Sequence, residues 1–236
     1  MQVLNLFYSL SGNTKSVAKS IEEVIREMGH SIDTFKVTVD GNTFNAWDVK
    51  NGEYFKEMFK DADAFNGNIS NWNMSNATTL LYMFLNAKNF NQNINTKKVT
   101  VGSETYTAWD TKNVTTLYGT FLFAESFNQD IGNWNTSNVT NMYITFNNAT
   151  VFNQAINTQQ VTVNGVTYTA WDMSNVTTMV KMFYNADAFN SDISNWNTGA
   201  VTDMNRMFAL TDNFNQPLVT QQVTVGNDTY TAWDVS

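Results

Sequence analysis

The stretch Trp134 to Ile156 reads WNTSNVTNMYITFNNATVFNQAI. Its marks Trp134, Met142, Phe146, Ala149, Phe152 and Ile156 return at the same offsets in Trp171, Met179, Phe183, Ala186, Phe189 and Ile193. Such self-similarity identifies one unit of a tandem repeat. Working outward, each of the seven tryptophans opens a unit: Trp47, Trp72, Trp109, Trp134, Trp171, Trp196 and Trp233. Their spacing alternates between 25 and 37 residues, so a 62-residue super-repeat starts at residues 47, 109 and 171. One side of each unit is apolar, and a unit this short buries that side only against its neighbours.

The apolar spacing from Val139 to Ala149 predicts one or two helical turns, with Ser137–Asn138 and Ser174–Asn175 as N-caps, and Phe152–Ile156 predicts a short strand. Strands of successive coils would then form a parallel ladder at about 4.8 Å spacing. The 37-residue units carry 12 additional residues that alternate Val/Thr and Thr/Tyr around a turn: Val99–Val101 to Thr105–Thr107, Val161–Val163 to Thr167–Thr169, and Val223–Val225 to Thr229–Thr231. This is the period-two pattern of β-hairpins. A further copy reads Val37–Val39, Asp40–Gly41, Thr43–Phe44. Thr100, Tyr106, Thr162, Tyr168, Thr224 and Tyr230 form the expected contact surface, a ridge about 9 to 10 Å from hairpin to hairpin.

An asparagine follows the second phenylalanine of every unit: Asn66, Asn91, Asn128, Asn153, Asn190 and Asn215. An amide at the same bend of each turn can pair backbone groups of the next, so these are expected to form a structural ladder.

Residues 1–36 follow a different rule. Val3–Tyr8 is an apolar strand, and Val17, Ile21, Val24, Ile25 and Met28 share a helical face between Asn13 or Thr14 and Gly29. Ile32–Val37 closes a βαβ unit. The division expected is a cap at 1–36 and six coils over 37–236. The fold class expected is α/β, a leucine-rich-repeat-like repeat solenoid with one short helix and one short parallel strand per coil, hairpins in alternate coils and the βαβ unit as N-terminal cap.

The coil Phe127–Asn128–Gln129–Asp130–Ile131, followed by Trp134–Asn135–Thr136–Ser137–Asn138–Val139–Thr140–Asn141–Met142, resembles those of BspA-like, leucine-rich-repeat-related surface proteins of mycoplasmas and other microbes. The resemblance covers residues 47–236 and implies a surface or adhesion role. The turn Ser9–Leu10–Ser11–Gly12–Asn13–Thr14 resembles the phosphate loop of flavodoxins. There it implies FMN phosphate held by Ser9, Ser11, Gly12, Asn13 and Thr14 at a helix N-terminus. The weightier expectation is a cap and no cofactor, with a flavodoxin-type FMN electron-transfer protein as the alternative.

Composition narrows the chemistry. There is no cysteine and one histidine, His30, beside Gly29 at the expected helix end, so neither a thiolate site nor a zinc cluster is expected, and no catalytic or metal residue is assigned. Acids such as Asp61, Asp63, Asp130 and Asp192 alternate with neutral residues at equivalent positions, which suits solvated turns. The net charge is −8, and residues 37–236 hold nine Lys/Arg against seventeen Asp/Glu, which disfavours nucleic acid. Met1–Tyr8 has no basic start and no membrane-length apolar run follows, so the reading is cytoplasmic as written, with cell surface or secreted as the alternative implied by the resemblance. The function expected is a non-enzymatic binding or structural protein with a protein or glycan partner. The tryptophan row makes carbohydrate binding a further alternative, and the start of a new unit at Trp233 makes an end-to-end homodimer possible.

Overall fold

The structure is a computed structural model that describes residues 5–7, 34–36 and 43–234. Its elements are β1 (Asn5–Phe7), β2 (Thr34–Lys36), a turn of 3-10 helix at Thr43–Ala46, and three pairs of five-residue strands: β3 (Lys97–Val101) with β4 (Glu104–Ala108), β5 (Gln159–Val163) with β6 (Val166–Ala170), and β7 (Gln221–Val225) with β8 (Asp228–Ala232). The hairpins are antiparallel in the register Val99↔Tyr106, Val161↔Tyr168 and Val223↔Tyr230. β1 and β2 pair in parallel, with Leu6 opposite Phe35.

No α-helix occurs among the described residues, which corrects the α/β expectation. Among the described residues, which within 1–36 are only Asn5–Phe7 and Thr34–Lys36, no flavodoxin-like cap is seen, and the units are not helix-and-strand coils of a leucine-rich-repeat-like solenoid. The expected helix of residues 13–28, the loop Ser9, Ser11, Gly12, Asn13 and Thr14, and most of the hairpin copy at 37–44 lie outside the described residues. The architecture is strand and turn, with small antiparallel hairpins.

The physical reason is visible in the backbone of Asn141–Ala149. Ile144 and Asn148 hold positive φ, 49° and 57°, which interrupts a right-handed helix every fourth residue. The chain instead makes successive tight turns, Thr145 N–H to Met142 O, Asn147 N–H to Ile144 O and Ala149 N–H to Phe146 O. The N–H groups between them, on Met142, Ile144, Phe146 and Asn148, leave the unit and bond Thr178, Val180, Met182 and Tyr184 carbonyls of the next at 2.8–3.0 Å. The strand expected at Phe152–Ile156 is also absent. Parallel pairing between units occurs as single bridges at Tyr54, Thr79, Thr116, Asn141, Thr178 and Asp203.

The core is a set of aromatic columns. Phe59, Phe84, Phe121, Phe146, Phe183 and Phe208 stack at 5.4–5.7 Å between centroids, within 8° of parallel. Phe65, Phe90, Phe127, Phe152, Phe189 and Phe214 form a second column beside it. The tryptophans make the third, with Trp47 on Trp72 and an unbroken stack from Trp109 through Trp134, Trp171 and Trp196 to Trp233. Offset-stacked rings of this kind contribute beyond the area they bury.

Candidate functional site

The hairpins have two unlike faces. On the inner face Val99, Tyr106, Val161, Tyr168, Val223 and Tyr230 pack against the core. The tyrosines are half-buried and their hydroxyls donate to backbone carbonyls one super-repeat apart: Tyr106 to Asn71 at 2.6 Å, Tyr168 to Asn133 and Tyr230 to Asn195. The hairpin bases are closed by Thr96, Thr158 and Thr220, whose hydroxyls donate to the carbonyls of Trp109, Trp171 and Trp233 at 2.6–2.7 Å. The tyrosines of the expected contact surface therefore anchor the hairpins.

The other face carries hydroxyls. Thr100 and Thr105, Thr162 and Thr167, and Thr224 and Thr229 are cross-strand pairs whose oxygens lie 2.7–3.0 Å apart, and all six residues are exposed. Cross-strand threonines on a hairpin stabilise the pairing itself. They also leave each hairpin with an identical pair of donor–acceptor groups facing solvent.

The hairpins lean on one another. Val101 is 46% exposed, whereas its counterparts in the two later hairpins, Val163 and Val225, are 9% and 7% exposed. Asn164 Nδ2 reaches Thr107 Oγ1 at 3.3 Å across one such junction. At the next, Gly226 has φ +62° and a Cβ there would sit 2.5 Å from Gln160 Nε2. The three hairpins thus form one overlapping row.

Burial pushes the phenols of Tyr106 and Tyr230 above their ordinary value and that of Tyr168 up to about 12. Because the folded state favours the neutral phenol, its contribution is intact below the unfolded value of about 10 and is lost as pH rises through about 12. Melting temperature should therefore fall between those values. Tyr168→Phe should cost about 1 kcal/mol at neutral pH and flatten the alkaline decline; an identical decline in the variant would contradict this role.

The asparagine row makes a continuous side-chain ladder. Asn91, Asn128, Asn153, Asn190 and Asn215 each donate their backbone N–H to Oδ1 of the previous member, starting at Asn66, at 2.9–3.0 Å. Most of these oxygens accept a second bond, as from Gln92, Gln129, Gln154 and Gln216. The row is exposed or half-exposed, so water can replace part of what is lost on substitution. Asn128→Ala is expected to destabilise the fold by about 1–2 kcal/mol, read from the urea midpoint.

Sequence reasoning missed a second row. Asn76, Asn113, Asn138 and Asn175 each donate Nδ2 to a carbonyl of the preceding unit, those of Lys50, Ser75, Lys112 and Ser137, all at 2.7 Å. Asn138 and Asn175, read as helix caps, are inter-unit bonds. Their recurrence four residues after Trp72, Trp109, Trp134 and Trp171 was the available signal. A third cluster was also missed: Tyr82 meets Tyr118 edge-on at 5.0 Å, and Tyr118 stacks on Tyr143 at 4.9 Å. Burial, then the bond to Tyr118, raises the Tyr82 phenol.

The tryptophan row does not offer sugar-stacking faces. Trp72, Trp109, Trp134, Trp171 and Trp196 are fully buried, and indole Nε1 of each from Trp109 onward, Trp233 included, donates to an isoleucine carbonyl at 2.9 Å. Among the described residues no group of three or more His, Asp or Glu is placed to hold a metal ion, and no helix is long and apolar enough to cross a membrane.

A chain whose polar side chains are spent joining one unit to the next is described by its repeat, and the repeat is the part that matches. Residues 5–106, 102–168 and 159–235 match in tandem the family described as Mycoplasma protein of unknown function, DUF285. The chain belongs to this family. The three matches account for the tandem organisation expected from the tryptophan spacing, and the family description gives no function. No curated protein and no solved structure matches.

Proposed function

We propose that this is a non-enzymatic binding protein that engages a protein or glycan partner through the overlapping hairpin row. The observation that carries this reading is the exposed threonine pair repeated on three hairpins, Thr100/Thr105, Thr162/Thr167 and Thr224/Thr229. Among the described residues these hydroxyls serve no inter-unit bond, unlike the asparagine rows and the tyrosines, and neutral hydroxyl pairs suit polar, uncharged surfaces. Repetition supplies affinity: identical weak contacts on one rigid body raise avidity when the partner repeats as well. The resemblance to BspA-like surface proteins supports an adhesive setting.

The test is binding of labelled chain to a glycan array and to intact cells, with the threonine pairs changed to lysine on one, two and three hairpins. Binding should fall stepwise as hairpins are altered. Undiminished binding by the folded triple variant would refute the hairpin reading.

A further inference from the structure

Three asparagines in the chain directly precede a glycine: Asn51, Asn66 and Asn164. In such a pair the asparagine side-chain carbon is open to attack by the next backbone nitrogen, because glycine places no side chain in the way. The fold treats the three pairs differently. Gly52 N–H is engaged by Val49 O at 2.8 Å, and a Cβ on Gly52 would meet the Phe55 ring at 2.8 Å. Asn66 Oδ1 accepts from Asn91 N–H and Gln92 Nε2, both at 2.9 Å, and a Cβ on Gly67 would lie 2.5 Å from the Phe44 ring. Asn164 and Gly165 are both exposed, Gly165 N–H has no acceptor among the described residues, and a Cβ on Gly165 would meet nothing within 4 Å. The bond from Asn164 Nδ2 to Thr107 Oγ1 is long, at 3.3 Å.

The turn also suits the product of such an attack. Asn164 and Gly165 join β5 to β6 with φ of 52° and 80°, the double positive pattern of a type I′ turn. Closing a five-membered ring between Asn164 Cγ and Gly165 N requires the peptide plane between the two residues to flip, which carries type I′ to type II′. The hairpin row already contains that alternative. Gly102–Ser103 and Gly226–Asn227 close the other two hairpins with positive φ at the first residue alone, 60° and 62°, which is the type II′ pattern. The same strand register therefore fits the turn before and after cyclisation.

We propose that Asn164 is a modification site, at which the folded hairpin promotes loss of the side-chain amide. Gly165 N bonds to Asn164 Cγ, the Cγ–Nδ2 bond breaks, and Nδ2 leaves as ammonia with the proton that Gly165 N gives up. Water then opens the imide at either carbonyl, leaving aspartate or, where the main chain runs on through Cγ, isoaspartate. Both products lack the donor that joins the second hairpin to Thr107 of the first. Isoaspartate also adds a backbone atom to a turn whose length sets the strand register. The inference does not depend on what the hairpin row binds.

The test is peptide mapping of the full chain held at mildly alkaline pH, with and without urea. In the folded chain Asn164 should convert at least about tenfold faster than Asn51 and Asn66, the ratio that one retained hydrogen bond gives, through an intermediate that has lost ammonia. In urea the three rates should converge. Equal rates in the folded chain would overturn the proposal, since the fold would then not select Asn164. A ratio that survives urea would overturn it as well, since selection would then lie in the local sequence. Amide exchange at Val163 and Val166, which flank the turn, should quicken in the isoaspartyl fraction; unchanged exchange there would overturn the loosening of the hairpin row.

Discussion

Phe146→Ala is expected to lower stability by about 3–5 kcal/mol, the range for deleting a large buried aromatic. Phe146 is fully buried at the middle of its column, 5.4 Å from Phe121, 5.5 Å from Phe183 and 4.1 Å from Phe152. Its neighbours are held by backbone bonds to adjacent units and cannot collapse into the space, so the cavity term is kept nearly whole. Phe208 occupies the same position at the C-terminal end. It keeps the neighbour beside it, Phe214 at 4.1 Å, but along its column it has a ring on one side only among the described residues, Phe183 at 5.7 Å, and it is partly exposed. Phe208→Ala should therefore cost about half as much or less, because less area and fewer contacts are lost. Urea denaturation of both variants checks this. Equal losses would show that column position does not matter and that the units behave as independent bodies.

The comparison of these two positions also explains what was legible in the sequence. Columns were legible because each depends on one residue type at a fixed offset: Trp at the start of a unit, Phe at two later positions, Asn after the second Phe. The hairpins were legible because alternation and a turn are local signals, and they are found at the expected residues. The helix was not. Met142, Phe146 and Ala149 share one face in a helix, but they also share one face in a run of tight turns whose alternate N–H groups leave the unit. Periodicity alone does not separate the two. The residues at the positive-φ positions do, in part: Gly119 at the first, and Asn86, Asn148 and Asn185 at the second, are types that tolerate that conformation. Read as a column, the second position favours recurrent turns over a helix, although Phe123 and Leu210 hold the same conformation. The hairpin tyrosines were misjudged for a related reason. Alternation shows that Thr and Tyr occupy opposite faces of a strand, but which face meets the core depends on carbonyls 35 residues earlier, such as Asn71 for Tyr106.

Gly119 supplies the sharpest test of this turn geometry. Its φ is +56°, yet the same position in other units is held by Glu57, Tyr82, Ile144, Lys181 and Arg206, all at positive φ. The backbone conformation is therefore a property of the repeat, and it does not by itself demand glycine. What demands it is the ring of Tyr82, because a Cβ on residue 119 would lie 2.4 Å from Tyr82 Cε1 and 2.5 Å from Cδ1. Gly119→Ile should then cost about 2–4 kcal/mol, the sum of overpacking at about 1–3 kcal/mol and the left-handed penalty of a non-glycine residue at about 1–2 kcal/mol, partly offset by the unfolded-chain entropy glycine loses. Truncating the ring should remove the first part only. In Tyr82→Ala the ring that a Cβ would meet is gone and the remaining near neighbour, Ile144 Cγ1 at 3.6 Å, is at ordinary contact distance, so Gly119→Ile in that background should cost no more than about 1–2 kcal/mol. A double-mutant cycle measures the difference directly. Coupling near zero would mean that the cost of Gly119→Ile arises in the backbone, and the account of why glycine stands in this one unit would then be wrong.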